Sequence, residues 1–271
     1  MYKNNLSFNY EGNIYDFHID GEVFWGKNFC MLEEDENLLS KTSFNDKGFN
    51  VIDFLHRSHR EDIRNGIIDY LKKMFFGNFS ITDFSEYHKI IDDKFHFDIT
   101  KNLVGIPLLN FPINPNILVD FFSDLLQFDL ALRPNHTQAL EPHFCLRIVR
   151  PNSNDNNPLH RDVWLDRLRN AVNIFFPITI PKDNSNLGLV PGSHYWKESD
   201  IQRTVSGAFV NGKKYTVPSV VNTKRKLIFI RPKLNENHVL IFSPYLIHGG
   251  AINFSDRTRI SLEMRFWRRK D

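Results

Sequence analysis

Leu159-His160-Arg161-Asp162, then Leu246-Ile247-His248-Gly249-Gly250, then Arg257-Thr258-Arg259-Ile260-Ser261 are the segments on which the reading of this chain turns. A His-x-Asp pair on a strand places both side chains on one face, because residues at i and i+2 point the same way. A second histidine from a remote strand completes a facial set of two imidazoles and one carboxylate, which leaves metal positions open. An oxygenase needs those openings for a bidentate 2-oxo acid and for O2. A later arginine suits the far carboxylate of that acid, which it grips with a two-pronged hydrogen bond. His160, Asp162 and His248 are therefore the candidate metal ligands and catalytic residues. His194 and His238 compete for the third position. His238 begins a strand and lacks an arginine at the right distance downstream.

With Leu189-Val190-Pro191-Gly192-Ser193-His194 added, the four segments resemble the phytanoyl-CoA dioxygenase-like branch of the Fe(II)/2-oxoglutarate oxygenases, over roughly residues 140 to 268. The resemblance implies a double-stranded β-helix, Fe(II) held by His160, Asp162 and His248, and 2-oxoglutarate and O2 as co-substrates. It also implies hydroxylation with release of succinate and CO2. In that family the histidine of the Pro-Gly-Ser-His turn is not a ligand, which sets His194 aside. The family's 2-oxoglutarate arginine falls at Arg259, with Arg257 the alternative, and Ser261 adds a hydroxyl to the same carboxylate. Halogenating relatives carry a small residue in place of the carboxylate, so Asp162 argues for oxygen chemistry. Parity puts Arg259 on a polar face: Arg259, Ser261, Glu263 and Arg265 share one strand face, while Ile260, Leu262, Met264 and Phe266 share the other.

Outward from these motifs the chain reads as α+β, a jelly-roll (cupin-like) core with N-terminal helices packed on it. One domain spans 1–271, mostly helical over 1–139 and carrying the metal site in 140–268. Residues 5 to 30 read as a hairpin or edge strands turning at Glu11-Gly12-Asn13. A helix is expected from Val51 to Phe76, from the spacing of Ile52, Leu55, His59, Ile63, Ile67, Tyr70 and Met74, with a stop at Gly77-Asn78. A short helix over 82–92 and a third from Asn114-Pro115 to Leu132 follow. Strands are expected at His143–Val149, Leu159–Val163, Ala171–Ile178, Leu187–Val190, Lys226–Ile230, His238–Phe242 and Arg259–Phe266. The stretch from Lys197 to Val220 is either a binding loop or a surface hairpin around Asn211-Gly212.

Composition narrows the partners. The formal charge of +2 gives no electrostatic case for nucleic acid. The basic run Arg265-Phe266-Trp267-Arg268-Arg269-Lys270 reads as a solvated end, with contact to an anionic substrate or partner as the alternative. Cys30 and Cys145 exclude a disulfide framework and read as buried free thiols. No apolar run approaches a membrane span and the first residues lack a signal core, so a cytoplasmic protein acting on a small molecule is expected. Asn173, alone in an apolar strand, touches 2-oxoglutarate or substrate, or serves structure. Arg147, Arg161 and Trp164 are candidate substrate contacts. The His-Arg-Asp triplet is not a kinase loop, because Arg167 stands where such a loop needs Asn. A sugar, a nucleotide-linked sugar or an amino-acid-like intermediate fits a polar pocket better than an acyl-CoA does. The competing classes are a non-catalytic cupin-type binding protein and a redox-neutral metalloenzyme.

Overall fold

In the computed structural model, which describes residues 3–75, 81–133, 141–153, 155–179 and 185–269, the chain opens with strands. These are β1 (Lys3–Tyr10), β2 (Asn13–Asp20), β3 (Val23–Trp25) and β4 (Phe49–Asp53). Helices α1 (Arg57–Phe75), α2 (Asp93–Thr100) and α3 (Asn116–Leu126) follow, with the two-residue strands β5 (Ile106–Pro107) and β6 (Leu130–Ala131) around α3. The remaining strands are β7 (His143–Val149), β8 (Ala171–Pro177), β9 (Ile201–Thr204), β10 (Ala208–Val210), β11 (Lys213–Tyr215), β12 (Val220–Thr223), β13 (His238–Phe242) and β14 (Arg259–Arg268).

All named strand pairings are antiparallel. The large sheet runs β4-β13-β8-β14-β7-β5, with β6 added against the end of β14. Two smaller sheets, β12-β9-β3 and β1-β2-β10-β11, complete a cupin-like jelly roll. Alternation divides the large sheet's two faces. Leu146, Ile148, Val172, Ile174, Phe176, Val239, Ile241, Ile260, Leu262, Met264 and Phe266 join one buried cluster with residues of the helices. The helical side of that cluster is supplied at helical spacing by Ile63, Ile67 and Leu71 of α1, and by Leu118, Phe122 and Leu126 of α3. Truncating a fully buried ring such as Phe122 to Ala would cost about 3–5 kcal/mol. The alternate residues of β7, β8 and β14 are left to face the barrel interior, where the polar side chains collect.

Several boundaries depart from the sequence reading. The run expected to be helical from Val51 begins as strand β4, paired residue by residue with β13. Ile52 packs toward the helices, whereas Phe49 and Val51 pack inside the barrel. A left-handed residue at Leu55 (φ 47) then separates β4 from α1. Gly77-Asn78, the expected stop, lies outside the described residues. The helix expected over 82–92 is a 3-10 turn at Phe84–Lys89, and α2 starts afresh where Asp92 caps Phe95 N at 2.8 Å. Helix α3 ends at Leu126, not near Leu132, because Gln127 is left-handed (φ 59).

Leu159–Val163, Leu187–Val190 and Lys226–Ile230 are not strands but carry isolated bridges, including His160 to His248 and Leu189 to both Ile230 and His248. The stretch from Lys197 to Val220 contains β9 and the β10–β11 hairpin, which pairs through β10 with β2. The first half is therefore less helical than expected, since β1 to β4 are woven into the barrel sheets. Both cysteines are free, but Cys30 is only partly buried. Among the described residues no helix is long and apolar enough to cross a membrane.

Candidate metal centre

His160 and His248 face each other across a two-residue bridge. His160 N donates to His248 O at 2.9 Å, and His248 N donates to His160 O at 3.0 Å. This pairing brings the two imidazoles to 4.3 Å between ring centroids. Each ring is turned by its own backbone: His160 Nδ1 donates to Pro158 O at 2.8 Å, and His248 Nδ1 to Leu246 O at 2.9 Å. A proton held on Nδ1 leaves Nε2 as the free lone pair, the arrangement a metal-ligating histidine needs. Gly249 (φ 100) and Gly250 (φ 58) permit the approach. A Cβ at Gly249 would lie 2.4 Å from Pro158 O, and one at Gly250 would lie 2.8 Å from the Leu159 side chain.

The extended residue between the ligands explains the next placement. Arg161 has φ −109 and ψ 136, so its side chain leaves on the face opposite His160 and Asp162. Asp162 then opens a 3-10 turn, with its N–H on Pro244 O at 3.0 Å. Its Oδ1 lies 3.3 Å from His160 Nε2 and 3.7 Å from His248 Nε2. One ligand atom from each of the three residues falls within 4.8 Å of the others, and all three residues are buried. Two imidazole nitrogens and one carboxylate oxygen make the donor set of a non-haem Fe(II) centre, and the group of three can hold a metal ion.

The electrostatics are those of a site prepared for a cation. Burial opposes ionisation of Asp162, but the Arg265 guanidinium and the imidazoles of His248 and His160 together outweigh it and hold the carboxyl well below its usual range. Burial, reinforced by His160, pushes His248 down to about 4. Near neutral pH the carboxylate is charged and the His248 ring is neutral, the states that bind metal.

The centre opens into a cavity of about 1200 Å³ that also reaches Arg147, Asn173, Arg259, Glu263 and Arg265. Arg259 is buried, and its Nη1 donates to Ser185 O at 2.7 Å. Its Nε has no partner among the described residues, nor does the buried Oγ of Ser261 on the same strand face. Burial, with Arg231 nearby, pushes Arg259 down to about 10. A buried guanidinium and a buried hydroxyl with unused donors fit the far carboxylate of a 2-oxo acid. Arg257 is exposed, with Nη1 on Ser85 Oγ at 3.4 Å.

The other candidate residues, and Arg265 with them, take the following places. Arg161 is not a cavity residue: it is wholly buried, donating to Glu198 Oε1 at 2.5 Å and to the carbonyls of Ser193 and Trp196. Trp164 joins that cluster, with Nε1 on Glu198 Oε2 at 3.1 Å and the Arg203 guanidinium over its ring. Arg147 does line the cavity, but Glu263 holds its Nε at 3.1 Å. Asn173 donates to Asp162 Oδ2 at 2.8 Å and so supports a ligand. Arg265, read in the sequence as part of a solvated end, binds the same oxygen from Nη2 at 3.0 Å. His194 lies outside the cluster of three, with Nε2 on Asn45 O at 2.8 Å, and His238 is partly exposed beside Asp53. Ser193 of the Pro-Gly-Ser-His turn accepts Ile247 N at 2.8 Å on Oγ, which pins the segment before His248.

A model of the phytanoyl-CoA dioxygenase (PhyH) family matches residues 113–261. No curated protein matches the chain. Among solved structures, the chain is similar to AviO1 from Streptomyces viridochromogenes Tue57 at 12% identity and TM-score 0.49, covering 88% of this chain and 96% of that one. It is also similar to EctD from S. alaskensis with 2-oxoglutarate and 5-hydroxyectoine, at 12% identity and TM-score 0.48, covering 93% and 84%. The non-heme monooxygenase ThoJ is similar at 14% identity and TM-score 0.49, covering 85% and 77%. The matched segment holds the metal cluster, the Arg259 and Ser261 pair, and more than half of the chain, so the chain belongs to the phytanoyl-CoA dioxygenase family of oxygenases.

Proposed function

We propose that this protein is an Fe(II)- and 2-oxoglutarate-dependent dioxygenase that hydroxylates a small polar molecule. One observation carries the reading: a buried two-histidine, one-carboxylate cluster shares its cavity with a buried arginine whose donors are not used up. His160, Asp162 and His248 would hold the iron through Nε2, Oδ1 and Nε2. Arg259 and Ser261 would bind the far carboxylate of 2-oxoglutarate and fix the direction in which it reaches the metal. O2 is the oxidant: bound iron would activate it, 2-oxoglutarate would supply two electrons as it is split to succinate and CO2, and the substrate would supply the other two. The protein's own part is to orient both and to exclude water.

The wall beyond the metal supports a polar substrate. Arg147 and Glu263 form a charge-balanced pair, with side chains 31% and 21% exposed. Such a pair offers a donor next to an acceptor, which suits a hydroxyl-bearing molecule such as a sugar or an amino-acid-like intermediate. Equilibrium dialysis tests the core of the reading. One Fe(II) should be retained per chain, and 2-oxoglutarate should be retained only with the metal. Metal retention with no 2-oxoglutarate binding would favour a redox-neutral cupin instead.

A further inference from the structure

The two oxygens of Asp162 are treated differently. Oδ1 faces the Nε2 atoms of His160 and His248, at 3.3 and 3.7 Å. Oδ2 is taken by Asn173 Nδ2 at 2.8 Å, Arg265 Nη2 at 3.0 Å and Arg265 Nε at 3.3 Å. The two donors come from rigid elements, because Asn173 on β8 and Arg265 on β14 are register partners across adjacent strands. Sheet geometry therefore aims both at one atom. The next residue on that face of β14, Glu263, is occupied by Arg147, which leaves Arg265 to Asp162.

We propose that Arg265, with Asn173, is a positioning residue of the metal centre: it locks Asp162 into ligation through one oxygen. A carboxylate can bind a metal through one oxygen or two. Turning Asp162 to offer both would break a forked, charge-assisted hydrogen bond and a second bond from Asn173. The lock keeps open the positions that a bidentate co-substrate and O2 require. Fold stability alone is a weak reason for the contact, since a buried ion pair is often no more stabilising than packed apolar side chains. The inference rests on the proposed metal-centre reading and adds a residue to it.

Mn(II) is the probe, because water-proton relaxation counts the waters on the bound ion. Wild-type protein should show about three, the number that one-oxygen ligation leaves on a six-coordinate ion. Arg265→Met should show about two and bind 2-oxoglutarate about tenfold more weakly, the lower end of effects seen for groups that orient metal ligands. Arg265→Lys, which keeps a cationic donor, should recover most of both. Asn173→Leu removes only a neutral donor and should shift both readings the same way by less.

Wild-type water counts and 2-oxoglutarate affinity in Arg265→Met and Asn173→Leu would overturn the inference. So would a folded Arg265→Met that takes up no Mn(II) and is not rescued by Arg265→Lys, since that marks a purely structural role. Should Arg265→Met fail to fold, Asn173→Leu decides by itself. Wild-type protein that takes up no Mn(II) would remove the metal-centre reading and this inference together. Uptake by wild type with unchanged variants would remove this inference alone.

Discussion

The two ends of the cavity are built on opposite terms. At the metal end the protein satisfies its own groups: both Nδ1 atoms donate to carbonyls, and Asp162 Oδ2 accepts from Asn173 and Arg265. What remains is three acceptors aimed at one point. At the other end, Arg259 Nε and Ser261 Oγ are buried without partners among the described residues. One end is short of a cation and the other is short of an anion. The contrast teaches that the cavity is laid out for two different occupants and is not a single polar pocket.

The largest expected effect removes one side of that contrast. Asp162→Ala should weaken Fe(II) binding more than about 100-fold, because a ligand counts for more than the groups that orient it. Turnover should vanish, and retained hydroxylation in that variant would break the assignment of ligands. Arg259→Ala tests the other end. Truncating one partner of a buried charge pair costs about 2–5 kcal/mol, so 2-oxoglutarate affinity should fall about 100-fold while iron still binds. Arg257→Ala, a change at the surface, should leave that affinity unaltered.

A buried histidine away from the metal sharpens the comparison. Burial pushes His194 from 6.5 down to about 4. Its folded value lies below its unfolded value, so the stability it supports is complete above pH 6.5 and is lost as pH falls toward 4. The loss amounts to at most about 3 kcal/mol. Denaturant unfolding followed from pH 7 to pH 4 should show this slope, and His194→Asn should flatten it. The smallest effect belongs to Ser261→Ala, which deletes one hydrogen bond and should weaken 2-oxoglutarate by about fivefold. A loss as large as that of Arg259→Ala would mean that Ser261 has another task.

Much of this was legible in the chain. His143–Val149 and His238–Phe242 are strands with the expected bounds, and β14 begins at Arg259 as expected. β7 and β14 carry an alternation, and β13 a continuous apolar run, that one sequence displays by itself. Parity cannot separate Arg259 from Arg257, which lie two residues apart; burial of the first and exposure of the second do. Applied to the ligand pair, the same rule would have turned Arg161 away from the cavity, since it lies between two residues of the other face. Arg265 and Asn173 were harder to place. Their contacts with Asp162 join residues 103 and 11 positions apart. Only strand pairing, invisible in a single sequence, brings them to one oxygen. The helix expected from Val51 is present as α1 from Arg57 to Phe75, but its expected start is strand, because a few apolar residues at near-helical spacing also satisfy a strand packed on both faces.

The two-occupant layout is best examined by titrating anaerobic Fe(II)-loaded protein with 2-oxoglutarate and following the weak visible charge-transfer absorption that chelation to such an iron produces. A saturable band, displaced to far higher concentration in Arg259→Ala and absent in Asp162→Ala, is the expected result. Protein that holds iron but develops no band would contradict the assignment of the cavity's second end to a 2-oxo acid.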